Sequence, residues 1–249
     1  MNKIVRNFGR LIASNLLPKL AYPVLKGELK GEKIILGSMS GPGNGSSIYF
    51  DLVEKEQTRE FIKHLNRCNN VFDIGANVGY YTLLASKMVG NKGKVYAFEP
   101  VIRNLVYLYK HIYINKIENV NIVPLACSDS VSLKSFKLAA DAACGYLDEG
   151  DYNYEGDILK SIYVQTITLD NFITETKVVP DIIKIDVEGA ELLVLRGAKD
   201  TLIKYKPKIF LSIHSDELEM QSKDYLGKLG YKFKLLDDSK KPFIEYLCV

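Results

Sequence analysis

Apolar residues along the chain fall into two rhythms. Short, nearly uninterrupted runs, such as Val71, Phe72 and Ile74, then Val95, Ala97 and Phe98, have the length of buried strands. The same holds for the runs in IIKI at residues 182–185 and KIFLSI at 208–213. Between them, Tyr81, Leu84, Ala85 and Met88, then Leu105, Leu108, Tyr109 and Ile112, then Leu192, Leu193 and Leu195 recur at helical spacing. Strand, turn, helix and strand again is the order of an open, mostly parallel α/β sheet, doubly wound and Rossmann-like. Two β-like runs close the chain, at residues 231–236 and 243–249, and predict a hairpin that adds an antiparallel strand.

Other stretches are less regular. Residues 1–25 are basic and apolar, with Ile4, Phe8, Leu11 and Ile12 at helical spacing and Pro18 and Pro23 limiting the helix. The run is too short and broken to span a membrane and has no clear cleavage site for a signal peptide. Packing on the chain's own domain is preferred over a peripheral membrane contact. A strand-like segment at 33–36 precedes a loop rich in Gly and Pro at 37–45, so residues 1–55 are expected to form an entry segment on a catalytic domain at 56–249. Thr58 is expected to cap a helix running to about Leu65. Residues 119–129 are expected to form a third strand, and residues 130–165 an irregular acidic insertion, a substrate lid or a solvated loop. Thr168 or Asp170 and then Asp216 are expected to start helices, and Gly230 to close the last one.

Composition narrows the class. At 249 residues with 47% hydrophobic and 25% charged residues, the chain suits one α/β domain with modest additions. A net charge of +3, from 33 basic against 30 acidic residues, is too balanced to point to nucleic acid as the main partner. Four cysteines without C-x-x-C pairing fit reduced thiols in the cytoplasm. Three scattered histidines give no metal signature, and the set Asp186, Asp216 and His214 lacks ligand spacing, so no metal is expected.

The chemistry concentrates in residues 70–86, NVFDIGANVGYYTLLAS. Asp73 ends a strand, Gly75 and Gly79 allow a sharp turn, and the following helix points its free N–H groups at the turn. A dinucleotide fingerprint would need glycine where Asn77 and Tyr80 stand, and no G-K-[ST] follows for a phosphate loop. A carboxylate at the mouth and Asn77 in the turn suit a ligand with an ammonium group and hydroxyls, such as S-adenosylmethionine, whose sulfonium charge a carboxylate-lined site tolerates. Glu99 closes the second strand, GKVYAFEP, 26 residues after Asp73, where an acidic residue can bond ribose hydroxyls. Asp129, by its place at a strand's carboxyl end, is a candidate partner for an adenine amino group, with a turn former as the alternative. In IIKIDVEGAELLVLRGA, residues 182–198, Asp186 and Glu188 follow a strand carrying a lone Lys184, whose burial would require a carboxylate partner. Glu188 and Glu191 also lie near the start of the next helix, whose dipole favours anions, so helix capping is the alternative for both. His214 ends KIFLSIH at the same sheet edge and is a candidate acid or base.

With these segments in hand, the chain resembles the FkbM family of class I S-adenosylmethionine-dependent methyltransferases. VFDIGANVGYYT, YAFEP, ACSD, TLD and above all IKIDVEGAELLVLRGA carry the resemblance, across about residues 30–215. It implies a seven-stranded Rossmann-like sheet and usually O-methylation of a hydroxyl on a small metabolite, sugar or glycan. By matched motif, Asp73, Gly75, Asn77, Gly79, Glu99 and Asp129 would contact the cofactor, while Asp186, Glu188 and His214 would face the reaction. One departure stands out: the family often has Glu two residues before the histidine, and here that residue is Ser212. His214 or Asp186 is expected to take the acceptor's proton, with Asp186 or Glu188 orienting it. The alternatives are a non-catalytic scaffold that keeps the cofactor pocket, or a dinucleotide-dependent oxidoreductase, which the missing glycines disfavour.

Overall fold

In the computed structural model, the structure describes residues 20–38, 45, 47–65, 70–139, 145–150, 157–240 and 243–249. The expected helix within residues 1–25, Cys68, Cys144, and the acidic and tyrosine positions 141, 151, 152, 154 and 155 lie outside the described residues. No helix among the described residues is long and apolar enough to cross a membrane.

Among the described residues, thirteen strands and seven α-helices follow in order. The entry segment gives β1 (Ala21–Pro23) and β2 (Lys33–Ile35), an antiparallel pair, and a short 3-10 turn at Ile48–Phe50. The first half of the main domain gives α1 (Lys55–Leu65), β3 (Asn70–Ile74), α2 (Tyr80–Val89), β4 (Lys94–Phe98), α3 (Ile102–Ile114) and β5 (Val120–Val123). Then come β6 (Ala126–Cys127), β7 (Leu133–Ala139), β8 (Gly145–Leu147), β9 (Ile158–Ile167) and α4 (Leu169–Thr176). The second half holds β10 (Ile182–Ile185), α5 (Glu191–Arg196), α6 (Lys199–Tyr205), β11 (Lys208–Ile213), α7 (Asp216–Lys228), β12 (Phe233–Lys240) and β13 (Phe243–Cys248).

The main sheet has seven strands in the order β12-β13-β11-β10-β3-β4-β5. β3 pairs in parallel with β4 on one side and β10 on the other, β10 pairs in parallel with β11, and only β13 runs antiparallel to its neighbours β11 and β12. This is the expected seven-stranded, doubly wound sheet with an antiparallel C-terminal strand. Its central strands are buried on both faces, which is why Val71, Phe72, Ile74, Ile182, Ile183 and Ile185 show almost no polar alternation.

Several local expectations need correction. α1 begins at Lys55, so Thr58 lies in its first turn rather than before it, with its hydroxyl donating to the Val53 carbonyl at 3.1 Å. α7 is capped by Ser215, whose Oγ accepts from the Leu218 N–H at 3.1 Å, while Asp216 sits in the first turn. Thr168 does cap α4, accepting from the Asn171 N–H at 3.0 Å. The expected third strand is two strands: β5 ends at Val123, Pro124 cannot donate to a ladder, and β6 joins a different sheet. That second sheet, β6-β9-β7-β8, occupies much of the segment expected to be irregular. Its pattern was hidden by Lys134, a buried lysine paired with Asp129 at 3.1 Å and Glu149 at 2.7 Å, which reads as polar yet sits on the inner face.

His111 ties the entry segment to the main domain. Its Nε2 accepts from the Ile35 N–H at 3.0 Å, so Nδ1 carries the hydrogen and donates to the Val78 carbonyl at 2.8 Å. Burial holds its pKa below the ordinary value, keeping the ring neutral for this role. Cys127 and Cys248 are free and buried, and burial pushes both thiols up, away from reactivity.

Candidate active site

The chain leaves β3 toward β4 on one side and toward β10 on the other, so a crevice opens at the carboxyl ends of these strands. Parallel register aligns the strand ends: Ile74 stands opposite Phe98 and Ile185, and Ile185 opposite Leu211. The residues that follow, Gly75, Glu99, Asp186 and Ser212, therefore share one edge. A cavity of about 210 Å³ lies there, lined among others by Asp73, Gly75, Asn77, Glu99, Lys184, Asp186 and Glu188. Phe136, Gly145 and Leu147 of the second sheet form part of its wall.

Asp73 is 2% exposed and accepts from the Thr82 hydroxyl, anchoring the start of α2 where the helix dipole favours a negative charge. Burial pushes its carboxyl up to about 6, against the pull of Thr82 and Lys184. Gly75 has φ +83°, and a Cβ there would lie 1.8 Å from the Asp186 carbonyl oxygen; its smallness serves the close approach of β10's exit to the turn. Gly79, at φ +98°, precedes α2 and packs on Leu108 rather than lining the cavity. Asn77 also takes a positive φ, 50°, and its N–H donates to Glu99 Oε2 at 2.8 Å.

Glu99 is buried and draws three donors from the chain: the N–H of Asn77, the N–H of Val101 at 2.8 Å and the Asn104 amide at 3.2 Å. A carboxylate offers about four acceptor sites, which leaves about one for a ligand hydroxyl. Burial pushes its carboxyl up to about 7, outweighing those hydrogen bonds. The folded chain thus holds a proton here that the unfolded chain releases near pH 4.5. This group's contribution to stability is full below that pH and declines by about 3 kcal/mol as the pH rises to about 7. Asp129 is not brought to the cavity; its carboxylate, partly exposed, is held by Lys134, which keeps it below the ordinary range against the opposing effect of burial.

The second group of residues meets beside the first. A further cavity of about 210 Å³ shares Glu54, Asp186 and Glu188 with the first and adds His214, Asp237, Phe243 and Glu245. Lys184 is fully buried and, as its charge requires, reaches Asp186 Oδ2 at 3.1 Å, Ser212 Oγ at 3.0 Å and the face of the Tyr81 ring at 4.8 Å. Burial raises the Asp186 carboxyl, but Lys184 and His214 together outweigh it and hold the group below its ordinary value. His214 Nε2 stands 3.5 Å from Asp186 Oδ1 and 3.4 Å from Glu188 Oε2, while Nδ1 lies 2.6 Å from Glu191 Oε1. Burial disfavours the imidazolium, yet Glu191, Glu188 and Asp186 push its pKa up to about 10.

Sequence reasoning gave two members of this group no part in the site. Glu191 reads as a helix-terminus acid, but it is wholly buried, accepts from the Gly189 N–H at 3.0 Å and is the nearest partner of His214. It supplies from α5 the Glu–His pair that Ser212 cannot make from β11. Ser212 itself became a hydroxyl acceptor for Lys184 and for Gln57 at 3.3 Å. The only signal for Glu191 was its place three residues after Glu188 on an otherwise apolar helix start.

Comparison with known proteins gives the family and the fold. The family described as Methyltransferase FkbM domain matches residues 73–233. No curated protein matches the chain. Among solved structures, the methyltransferase FkbM from Methylobacillus flagellatus KT is similar over 98% of this chain and 59% of that one, at 17% identity and a TM-score of 0.51. A putative rRNA-methylase from Clostridium thermocellum is similar over 78% of this chain and 92% of that one, at 9% identity and a TM-score of 0.53. Fibrillarin of Aeropyrum pernix, solved with natively bound S-adenosyl-L-methionine, covers 74% and 67% at 12% identity and a TM-score of 0.49.

A Rossmann-like sheet with this acidic, glycine-turn edge defines an S-adenosylmethionine-dependent methyltransferase. Its cavity fits that cofactor: Asp73 and Glu99 are carboxylates suited to ammonium and hydroxyl groups, and Glu99 keeps acceptor capacity. The chain belongs to the FkbM methyltransferase family.

Proposed function

We infer that the protein methylates a hydroxyl oxygen on a small metabolite, sugar or glycan. The observation that carries this reading is the shared wall between the two cavities, where Asp186 and Glu188 line both and His214 lines the second. An acceptor in the second cavity faces the cofactor cavity across these side chains. The near-balanced charge of the chain favours a small acceptor over a polyanion.

S-adenosylmethionine supplies the methyl group on a sulfonium, and the rest is done by the chain. Asp73, Asn77 and Glu99 would hold the cofactor at the glycine turn. The protein's main task is to place a nucleophilic oxygen in line, which can supply ~7–11 kcal/mol of the barrier. Asp186 and Glu188 offer the nearest carboxylate oxygens to orient the acceptor hydroxyl and receive its proton, a contribution of about 10²–10⁴-fold. Lys184 fixes Asp186, and Glu191 fixes the ring of His214.

Calorimetric titration with S-adenosylmethionine tests the cofactor half of this reading. Micromolar binding is expected in the wild type and about tenfold or greater weakening in Asp73→Asn; equal affinity in the two would remove Asp73 from the site. Turnover across a panel of hydroxylated and aminated acceptors tests the other half: methylation confined to amines would overturn the O-methyl assignment.

Affinity also reports the protonation of Glu99. With its carboxyl at about 7, the acceptor it offers a ligand hydroxyl is mostly protonated at pH 6 and mostly ionised at pH 8. S-adenosylmethionine binding is expected to tighten about tenfold across that interval, and the rise should vanish in Glu99→Gln. A pH-independent affinity in the wild type would exclude Glu99 as a ligand-facing carboxylate.

A further inference from the structure

We propose that Asp186, Glu188 and His214 form a binding site for one divalent transition-metal ion, with Glu191 as the carboxylate that orients the histidine. One ligand atom from each of the three lies within 4.8 Å of the others. About His214 Nε2 the separations are 3.4 Å to Glu188 Oε2 and 3.5 Å to Asp186 Oδ1, at and just beyond the longest distance between two ligands of a single ion. For bonds of about 2.1 Å, such ligand-to-ligand edges run from roughly 3.0 to 3.4 Å. Small rotations of the carboxylates would complete the set, and both face a cavity that leaves room for further oxygen ligands.

A second observation points the same way. Metal-bound histidines almost always give their other ring nitrogen to a carboxylate or carbonyl, which fixes the ring. Here Nδ1 meets Glu191 Oε1 at 2.6 Å, leaving Nε2 aimed at the two carboxylates. Glu191 is wholly buried, and its other oxygen has no hydrogen-bond partner among the described residues. The same cavity carries Glu54, Asp237 and Glu245, while Lys184 is committed to the far oxygen of Asp186.

The donor set selects the ion. Two carboxylates favour hard ions and one imidazole favours borderline ones, which together suit Mn²⁺ or Zn²⁺ better than Ca²⁺. This step rests on the function proposed above: lying on the wall between the two cavities, the ion would take a hydroxyl oxygen of the acceptor as a ligand and make that hydroxyl more acidic, its proton passing to the Glu188 carboxylate oxygen that the ion leaves uncoordinated. Sequence spacing concealed the set, because His214 lies on a different strand from Asp186 and Glu188 comes where Asp216 had been considered. Asp216 is exposed on α7.

The test uses the full chain, stripped with chelator and titrated with Mn²⁺ while electron paramagnetic resonance reads the free ion. It needs neither S-adenosylmethionine nor an acceptor, so its outcome is separate from that of the cofactor titration. One ion per chain is expected, with imidazole nitrogen modulation in the spin-echo signal and displacement by Zn²⁺. Glu188→Gln, at a partly exposed position where the fold is kept, should weaken binding about tenfold or more, and Glu191→Gln by about 10–100-fold. Circular dichroism confirms that each variant is folded. Absence of stoichiometric Mn²⁺ and Zn²⁺ binding would overturn the proposal, as would binding that is unchanged in Glu188→Gln or lacks the nitrogen signal.

Discussion

Gly75→Ala is expected to destabilise the protein by about 4 kcal/mol and to abolish S-adenosylmethionine binding. Two costs add at this position. A residue with a Cβ held at φ +83° is strained by about 1–2 kcal/mol. The new methyl would also meet the Asp186 carbonyl oxygen at 1.8 Å, and overpacking of this kind costs typically about 1–3 kcal/mol. That carbonyl cannot swing away cheaply, because the Asp186 N–H donates to the Ile74 carbonyl at 3.0 Å and β10 is laddered to β3. Relief would have to come from parting the two central strands, which carry the carboxylates of both cavities. For a chain of this size the loss corresponds to a fall in Tm of roughly 8–16 °C. Gly31→Ala is the control: its φ is +91° but nothing lies within 4 Å of the added Cβ, so only the conformational cost of about 1–2 kcal/mol is expected. A Gly75→Ala variant as stable as Gly31→Ala would show that the close approach is unimportant.

Lys184→Met is expected to cost about 3–5 kcal/mol, although it replaces a charged side chain in a strand with an apolar one of similar length. The lysine is wholly buried, so the substitution relieves the cost of dehydrating its ammonium, but this is outweighed by leaving Asp186 an uncompensated charge. What it loses is the only ammonium within reach of Asp186 Oδ2 among the described residues, together with the donor to Ser212 Oγ. Asp186 would then face Asp73, Glu188 and Glu54 with His214 alone to balance it. Urea denaturation measures the loss. Combining Lys184→Met with Asp186→Asn is expected to recover most of it, because a neutral pair leaves no uncompensated charge. A double variant no more stable than Lys184→Met would mean that the lysine acts through packing rather than charge.

Local pattern went far in this chain. The apolar runs at 71–74, 95–98, 182–185 and 208–213 became the four central strands, and the terminal hairpin supplied the antiparallel one. The motif around Asp73 and the one around Asp186 landed at the same sheet edge. The misses share a cause. Lys134 and Glu191 are charged residues that lie inside, so a reading that sends charge to the surface broke β7 into loop and reduced Glu191 to a capping acid. Asp129 followed a strand that was assumed to continue through Pro124.

The sequence by itself determined the class of fold and the glycine turn with its carboxylate, because both rest on short-range rules. Strand period, glycine freedom and a carboxylate beside a turn act within a dozen residues. Which side chains meet across the sheet was decided only by the tertiary structure. Parallel register sets Ser212 opposite Asp186 and carries His214 past the end of β11. The start of α5 then brings Glu191 to the Nδ1 edge of its ring. Those contacts depend on how far each strand is slid against its neighbour. Register is fixed by the summed burial of whole strands, so it appears in no single motif.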